Sequence, residues 1–175
     1  MAMGSGSKVQ VVGYKNSGKT TLITNLLEAA AKAGIMTGTL KHHGHGGRVE
    51  FRDDETDTAA HRRAGAVVSG VEGGNAFQLC LNMQASLCKL LELYEPLGLD
   101  LLLLEGFKEH QLPRIVLLKE NADLKLLEDS VKILAVIAWP PVSRQLISAD
   151  LPFFRIGEKE QYIDFLLDLF KGLNT

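Results

Sequence analysis

The sequence predicts an α/β fold in which a mostly parallel sheet lies between two helical layers, with an antiparallel hairpin at one side. Apolar runs alternate with stretches of helical periodicity along most of the chain, as expected for strands joined by crossover helices. The run LDLLLLEGF at 99–107 is apolar without alternation, which is typical of a central strand covered on both faces. Within 66–81, two apolar runs flank the turn sequence EGGN, which predicts the hairpin.

The remaining elements are assigned from periodicity and from the residues that begin or end them. Apolar residues recur at helical spacing over 19–33, and Gly34 ends this helix. Helix 57–65 begins at Asp57, a candidate N-cap, and stops at Gly65. The predicted strands are 8–14 (running into a glycine-bearing loop), 36–41, 99–107, 114–120, 132–139 and 153–156, and the predicted helices are 19–33, 57–65, 84–94 and 158–171, the last presenting Ile163, Leu166, Leu167 and Phe170 to the core.

Composition and charge indicate a single cytoplasmic domain. The chain has 175 residues, 46% hydrophobic and 23% charged, with a net charge of −2, which argues against broad nucleic-acid or membrane binding. We expect residues 1–7 (MAMGSGS) to be an appended leader or a disordered terminus and residues 8–175 to form one domain. Cys80 and Cys88 have no CxxC spacing and no second pair, so we expect two buried, reduced thiols, with a disulfide between them as the alternative.

A phosphate-binding loop follows the first strand. Gly13-x-x-x-x-Gly18-Lys19-Thr20 satisfies the Walker A pattern, between a predicted strand and a predicted helix. The glycines let successive backbone N–H groups point inward, and the helix start adds uncapped N–H groups that favour negative charge. Lys19 is then placed for the β- and γ-phosphates and the Thr20 hydroxyl for Mg²⁺. The fold prediction becomes that of a P-loop NTPase, and the motif does not name the base.

A second acidic group is expected to place the magnesium ion. Glu105 lies at the carboxyl end of the predicted central strand, where parallel sheets bind ligands, and either fills this role or marks the exit of the strand to solvent. Asp57 is either only a helix cap or a residue near the metal or the attacking water. Lys19 and Asp57 are therefore the candidate catalytic residues, and Thr20 and Glu105 the candidate metal ligands.

The segment KHHGHGG (41–47) opens a polar, glycine-rich loop that extends to residue 56. Lys41, His42, His43 and His45 follow the second strand and so gather at the same edge of the sheet as the phosphate loop. Three readings stay open: contact with an anion or substrate, a metal site, or an exposed polar loop. The glycines give the segment the mobility that a lid or switch requires.

Four segments in order resemble the MobB family, the molybdopterin-guanine dinucleotide biosynthesis adapter proteins: GYKNSGKTTLI, TLKHHGHGG, DTAAHRRAGA and LLLLEGFK. The resemblance spans almost the whole chain from Lys8. It implies a homodimeric GTP-binding protein with weak GTPase activity, which works beside the guanylyltransferase that joins GMP to molybdopterin. The family motif KHxHH appears here as KHHGH, with Gly46 at the last position. The family's site maps onto Gly13, Lys15, Asn16, Ser17, Gly18, Lys19, Thr20, Thr21, Lys41, His42, His43 and His45.

Two other functions compete with a GTP- and Mg²⁺-binding adapter. A metal-delivery GTPase of the nickel-chaperone kind would use His42, His43 and His45 as ligands, although the chain lacks a long His- or Cys-rich tract. A small-molecule kinase would use Asp57 as its base. No NKxD or TKxD motif specifies guanine, and LKEN at 118–121 is at best distantly related to these motifs.

Overall fold

The computed structural model describes residues 6–43, 54–128 and 132–173. Contacts divide the chain into two compact units, which we describe separately: the first unit is Met1–Gly44 with Tyr94–Thr175, and the second unit is His45–Leu93. The sequence prediction of one domain from residue 8 onward stays a prediction.

The strands and helices agree with the predicted order. In chain order they are β1 (Ser7–Val12), α1 (Lys19–Lys32), β2 (Thr37–Lys41), α2 (Asp57–Arg63), β3 (Val68–Gly73), β4 (Ala76–Leu81), α3 (Leu87–Tyr94), β5 (Leu101–Glu105), β6 (Arg114–Leu118), β7 (Ile133–Ala138), β8 (Phe153–Arg155) and α4 (Lys159–Leu173). Short 3₁₀ helices at Glu95–Leu97, Asn121–Leu127 and Arg144–Leu146 are additional to the prediction. These segments are too short for a hydrophobic periodicity to be recognised in the sequence.

The first unit is built on a six-stranded sheet whose strand order is β2-β5-β1-β6-β7-β8. Every pairing in it is parallel. In the register, Glu105 at the end of β5 is the partner of both Val11 in β1 and Lys41 in β2. The carboxyl ends of these three strands therefore meet at one edge, from which the phosphate loop and the histidine segment depart. The α/β prediction with a mostly parallel sheet and an antiparallel hairpin is confirmed.

Two hydrophobic clusters hold this sheet. In the first, one face of each of α1 and α4, with residues such as Leu26 and Phe170, packs against Val9, Val11 and Leu103 of the central strands. In the second, the other face of the sheet, including Val12, packs against residues of the 3₁₀ segment Asn121–Leu127 and the loop after β7. Leu101–Leu104 of β5 and Ile115–Leu118 of β6 are continuous apolar runs that are buried throughout, so both faces of these strands are covered.

The second unit contains α2 and the antiparallel hairpin of β3 and β4. Helix α2 ends as predicted, with Gly65 in the left-handed conformation at φ 111°. The prediction that Asp57 caps this helix is wrong: the N-cap is Thr56, whose hydroxyl accepts the N–H of Ala59, and Asp57 is the first helical residue. The sequence does not decide between adjacent Thr and Asp, since both are good caps.

Both cysteines are free thiols, and Cys80 is buried as predicted. The prediction of burial is wrong for Cys88, which is exposed. Within the described ranges, no helix is both long and apolar enough to span a membrane.

Candidate phosphate-binding site

The loop between β1 and α1 turns through two left-handed residues. Asn16 has φ 60° and Gly18 has φ 101°, and Gly18 is also the N-cap of α1. Asparagine and glycine are the residues that adopt this conformation at least cost. The loop closes with a hydrogen bond from the Ser17 N–H to the Tyr14 carbonyl, 3.3 Å long.

Gly13 is required by close packing at the start of the loop. A Cβ atom at this position would lie 2.4 Å from Ser17 Oγ and 3.0 Å from the carbonyl oxygen of Leu117. Ser17 is fully buried, and its hydroxyl has no hydrogen-bond partner among the described residues. The first glycine of the motif therefore lets the loop fold back over its own serine.

The start of α1 presents uncapped amides. Its N-cap residue, Gly18, has no side chain that could accept a hydrogen bond from the helix, and the first turn carries no acidic residue. The first backbone N–H groups of a helix have no partner within the helix, and the helix dipole is positive there. The Thr20 and Thr21 side chains of this turn are exposed. The junction is thus built to attract an anion.

Lys19 is held against the loop. Its ammonium group donates to the Tyr14 carbonyl at 2.8 Å. Partial burial lowers the pKa of Lys19; the Glu105 carboxylate opposes this shift, and the positive charge of Lys41 adds to it. The structure therefore brings together three of the predicted site residues, Lys19, Glu105 and Lys41, close enough for their charges to interact.

Glu105 forms an ion pair with Lys41 at the edge of the sheet. One carboxylate oxygen lies 3.5 Å from Lys41 Nζ. The Glu105 side chain is 14% exposed while that of Lys41 is 63% exposed, so the acid is largely buried and the lysine faces solvent. A carboxylate at this place can turn from the lysine to a cation held at the loop.

Trp139 supports the loop, and sequence reasoning missed it. Its indole Nε1 donates to the Ser17 carbonyl at 3.0 Å, although the two residues are 122 positions apart. Trp139 follows β7 directly, so the sheet order places it near the loop after β1. The signal was present in the sequence: an indole N–H at the end of a buried strand needs an acceptor.

A second missed residue, Gln10, fixes the turn after Glu105. Gln10 is fully buried in β1, and its Nε2 donates to the Phe107 carbonyl at 2.6 Å. That turn is left-handed at both Gly106, φ 90°, and Phe107, φ 54°. The sequence signal for this contact is a polar residue between the buried apolar residues Val9 and Val11, since a buried amide needs a hydrogen-bond partner.

Known proteins resemble this chain over most of its length. The family model of MobB, described as molybdopterin guanine dinucleotide synthesis protein B, matches residues 8–139. The chain belongs to the MobB family. The chain is 42% identical over 164 residues to the probable molybdopterin-guanine dinucleotide biosynthesis adapter protein of Bacillus subtilis, covering 94% of this chain and 93% of that protein.

Solved structures of MobB proteins have the same fold. The crystal structure of Bacillus subtilis MobB superposes with a TM-score of 0.77 at 38% identity, covering 93% of this chain and 96% of that one. The MobB homologue from Bacillus stearothermophilus gives a TM-score of 0.75 at 36% identity, with 94% and 98% covered.

In this MobB-family chain, the histidine segment begins at the edge formed by β2 and β5. The His42 N–H donates to the Glu105 carbonyl at 2.9 Å, and its ring lies 5.0 Å from that of Phe107. A Cβ atom on Gly106 would lie 3.3 Å from the His42 Cβ, so glycine permits this approach. His43 is exposed, and His45 lies outside the described residues, as does most of the predicted loop.

The metal and catalytic assignments stay predictions. Within the described ranges, no three His, Cys, Asp or Glu side chains form a metal-binding group. Asp57 belongs to the second unit, where it begins α2, and its proposed part in catalysis stays a prediction. Lys15 and Asn16 are exposed on the loop, in keeping with contact to a ligand from solvent.

Proposed function

We propose that this MobB-family protein binds GTP through the loop 13–21 and acts as an adapter in the assembly of molybdopterin guanine dinucleotide. The observation that carries the proposal is the junction of that loop with α1. Uncapped amides, a left-handed glycine cap and a lysine held at 2.8 Å from the loop backbone meet there. These are the elements that a polyphosphate needs for backbone and charge recognition.

Magnesium fits the oxygen donors at this edge of the sheet. Thr20 offers an exposed hydroxyl in the first turn of α1, and Glu105 offers a carboxylate at the end of the adjacent strand β5. Mg²⁺ prefers such hard oxygen ligands and usually keeps several of its waters. We assign these two residues to the ion, which neutralises phosphate charge when it is bound. Glu105 must loosen its contact with Lys41 to do so.

The choice of guanine rests on the family. Relatives over nearly the full length of the chain are named for molybdopterin-guanine dinucleotide biosynthesis. A guanine nucleotide is part of that product, so GTP is the triphosphate that such an adapter has reason to hold. The partner we propose is the guanylyltransferase that joins GMP to molybdopterin, with molybdopterin itself as a further ligand.

Hydrolysis of GTP should be slow. Lys19 is available to stabilise charge on the β- and γ-phosphates. The three arginines of the first unit donate instead to backbone carbonyls of His110, Ile147 and Val142. They are thereby occupied in the fold rather than free to act as an arginine finger. A binding role suits this arrangement better than rapid turnover.

The hairpin supports a homodimer. In its register, Val68, Phe77 and Leu79 share one face of the two-stranded sheet, and each is about half exposed or more. Phe77 is 65% exposed, and its ring lies over Gly70, where a Cβ atom would come within 3.0 Å of it. Aromatic and aliphatic residues exposed together are typical of an interaction surface. Sedimentation equilibrium of the wild type and Phe77→Glu tests the dimer, which should dissociate in the variant.

Calorimetric titration tests nucleotide binding directly. Mg·GTP and Mg·ATP are titrated into the wild type, Lys19→Ala and Lys32→Ala, the last removing the same charge at the far end of α1. We expect GTP to bind the wild type and Lys32→Ala alike, more tightly than ATP, and Lys19→Ala to lose binding. Equal affinity for ATP removes the guanine assignment, and unchanged binding in Lys19→Ala removes the site.

A further inference from the structure

Two lysines from different parts of the chain meet on one aromatic ring beside the phosphate loop. Lys108 Nζ lies 4.0 Å from the centroid of the Tyr14 ring, and Lys125 Nζ lies 5.2 Å from it. Tyr14 is the second residue of the loop, Lys108 follows the turn at Phe107, and Lys125 belongs to the 3₁₀ segment. The three side chains form what we call the lysine–tyrosine cluster.

The ammonium groups of Lys108 and Lys125 carry like charges at close range. Both ammonium groups lie near one ring, so they are closer to each other than about 10 Å, the Debye length at roughly 0.1 M salt, and they repel. The ring face attracts each cation only modestly. No carboxylate of the described residues lies within 4.0 Å of either ammonium group.

The carboxylate that acts on Lys108, that of Asp123, is already engaged in hydrogen bonds. Asp123 is 5% exposed, and its Oδ2 accepts the backbone N–H groups of Lys119 and Glu120 at 2.7 and 3.2 Å. It influences Lys108 only as a charge: burial lowers the pKa of Lys108, as does the charge of Lys19, whereas Asp123 raises it. The cluster therefore carries an excess of positive charge, and it lies within electrostatic reach of Lys19.

The cluster is separate from the loop interior. Lys19 reaches the main-chain carbonyl of Tyr14, while Lys108 and Lys125 lie over the ring of its side chain. The turn that precedes Lys108 is held by the hydrogen bond that Gln10 Nε2 donates to the Phe107 carbonyl. Lys108 and Lys125 are themselves exposed, so both ammonium groups are open to a ligand from solvent while they lie over the same ring.

We propose that Lys108 and Lys125, placed over Tyr14, form a second anion subsite that binds the phosphate of a phosphomonoester. A phosphomonoester carries about −1.5 to −2 charges at neutral pH and offers three acceptor oxygens, which matches two ammonium groups gathered at one ring. The inference deepens the proposed function and rests on it in one respect, since the subsite would hold a second phosphate-bearing reactant next to the nucleotide.

The test uses methyl phosphate as the probe, because it has no base or ring to bind elsewhere. Its ³¹P signal is followed during titration with the whole protein in two settings: wild type saturated with Mg²⁺ and a non-hydrolysable GTP analogue, and Lys19→Ala without nucleotide. We expect saturable binding with dissociation constants that agree within about twofold. Methyl sulfate, which carries a single charge, should bind about tenfold more weakly.

Variants of the cluster decide whether the site is the one proposed. Lys108→Ala and Lys125→Ala should each weaken methyl phosphate binding, by about tenfold for the closer Lys108, and the double variant should abolish it. Lys32→Ala, which removes the same charge from the far end of α1, should bind as the wild type does. Circular dichroism checks that each variant is folded.

Three results overturn the inference: no saturable binding in either setting, binding that the double variant keeps, or an equal loss in Lys32→Ala. Binding that vanishes in Lys19→Ala and is displaced by the nucleotide analogue also overturns it, since the phosphate loop alone would then explain it. If the nucleotide fails to bind while Lys19→Ala still takes methyl phosphate at the cluster, the proposed GTP site is wrong and the subsite stands.

Discussion

Lys41 and Glu105 are register partners on the neighbouring parallel strands β2 and β5, and their side chains form an ion pair of 3.5 Å at the edge where both strands end. The same carboxylate acts on Lys19, whose pKa it raises against the effect of burial. Glu105 thus lies between the lysine of the histidine segment and the lysine of the phosphate loop. Any charge that arrives at the loop must change this balance.

Glu105→Gln should remove the magnesium dependence of nucleotide binding. The amide keeps the shape of the side chain but cannot supply a charged oxygen to the ion. We expect GTP affinity with Mg²⁺ to fall about tenfold or more, while affinity with EDTA present changes little. Calorimetry at several Mg²⁺ concentrations measures this dependence.

Loss of the ion pair itself should matter little, and Lys41→Ala is the control. Lys41 is mostly exposed, and exposed pairs contribute about 0–1 kcal/mol. Lys41→Ala should keep the magnesium dependence. An undiminished magnesium effect in Glu105→Gln would contradict the assignment of Glu105 as the metal-placing acid.

Gly13→Ala should destabilise the protein and weaken nucleotide binding together. The new Cβ would meet Ser17 Oγ at 2.4 Å and the backbone of Leu117 at 3.0 Å, and such overpacking costs about 1–3 kcal/mol. Urea denaturation measures the free energy of unfolding. Gly157→Ala is the matched control, because no described atom lies within 4 Å of its Cβ.

Ser17→Ala should partly rescue Gly13→Ala. Removing the hydroxyl removes the closest contact and leaves the one to Leu117. The double variant should therefore be more stable than Gly13→Ala alone. Simple additivity of the two single changes would show that the serine and the glycine do not interact.

Nucleotide affinity should begin to fall at a lower pH than it would if Lys19 had the ordinary pKa of a lysine side chain. Only charged Lys19 binds phosphate well, and its pKa in the free protein lies below the usual 10.5 because of burial. Binding should therefore take up protons at alkaline pH and weaken as the pH rises through the lowered value. Calorimetry in buffers of different ionisation enthalpy measures this uptake.

The same shift has a defined sign for stability. Between the lowered pKa and 10.5 the unfolded chain holds more protons than the folded one, so the penalty from this lysine lessens as pH rises through that window. Glu105→Gln removes a charge that raises the pKa of Lys19. In that variant the loss of affinity should begin at a lower pH, and an unchanged or higher onset would show that the two residues are not coupled.

Trp139 should report on the loop, because it is the only tryptophan of the chain and donates to Ser17. Nucleotide binding should change its fluorescence. Trp139→Phe loses the hydrogen bond and should cost about 1 kcal/mol of stability, with a several-fold loss of nucleotide affinity. An affinity equal to that of the wild type would mean that the loop keeps its shape without the indole.

The sequence was sufficient for the fold and for the position of the loop between β1 and α1, because both depend on local patterns. Apolar periodicity located the strands, and the spacing of Gly13, Gly18 and Lys19 located the loop. Gln10 and Trp139 escaped prediction because their partners, Phe107 and Ser17, are 97 and 122 residues away. Such pairs appear only when the strand order is known. The cap of α2 was missed for a different reason, since Thr56 and Asp57 are equally suitable neighbours.

The most direct measurement of the central claim is the amide spectrum of ¹⁵N-labelled protein during titration with Mg·GTP. If the loop binds the polyphosphate, the largest shifts should fall on the amides of Gly13 to Thr21, with a smaller change at the Trp139 indole N–H. Lys19→Ala should abolish them. Shifts concentrated elsewhere in the chain, with the loop amides unmoved at saturating nucleotide, would contradict the claim.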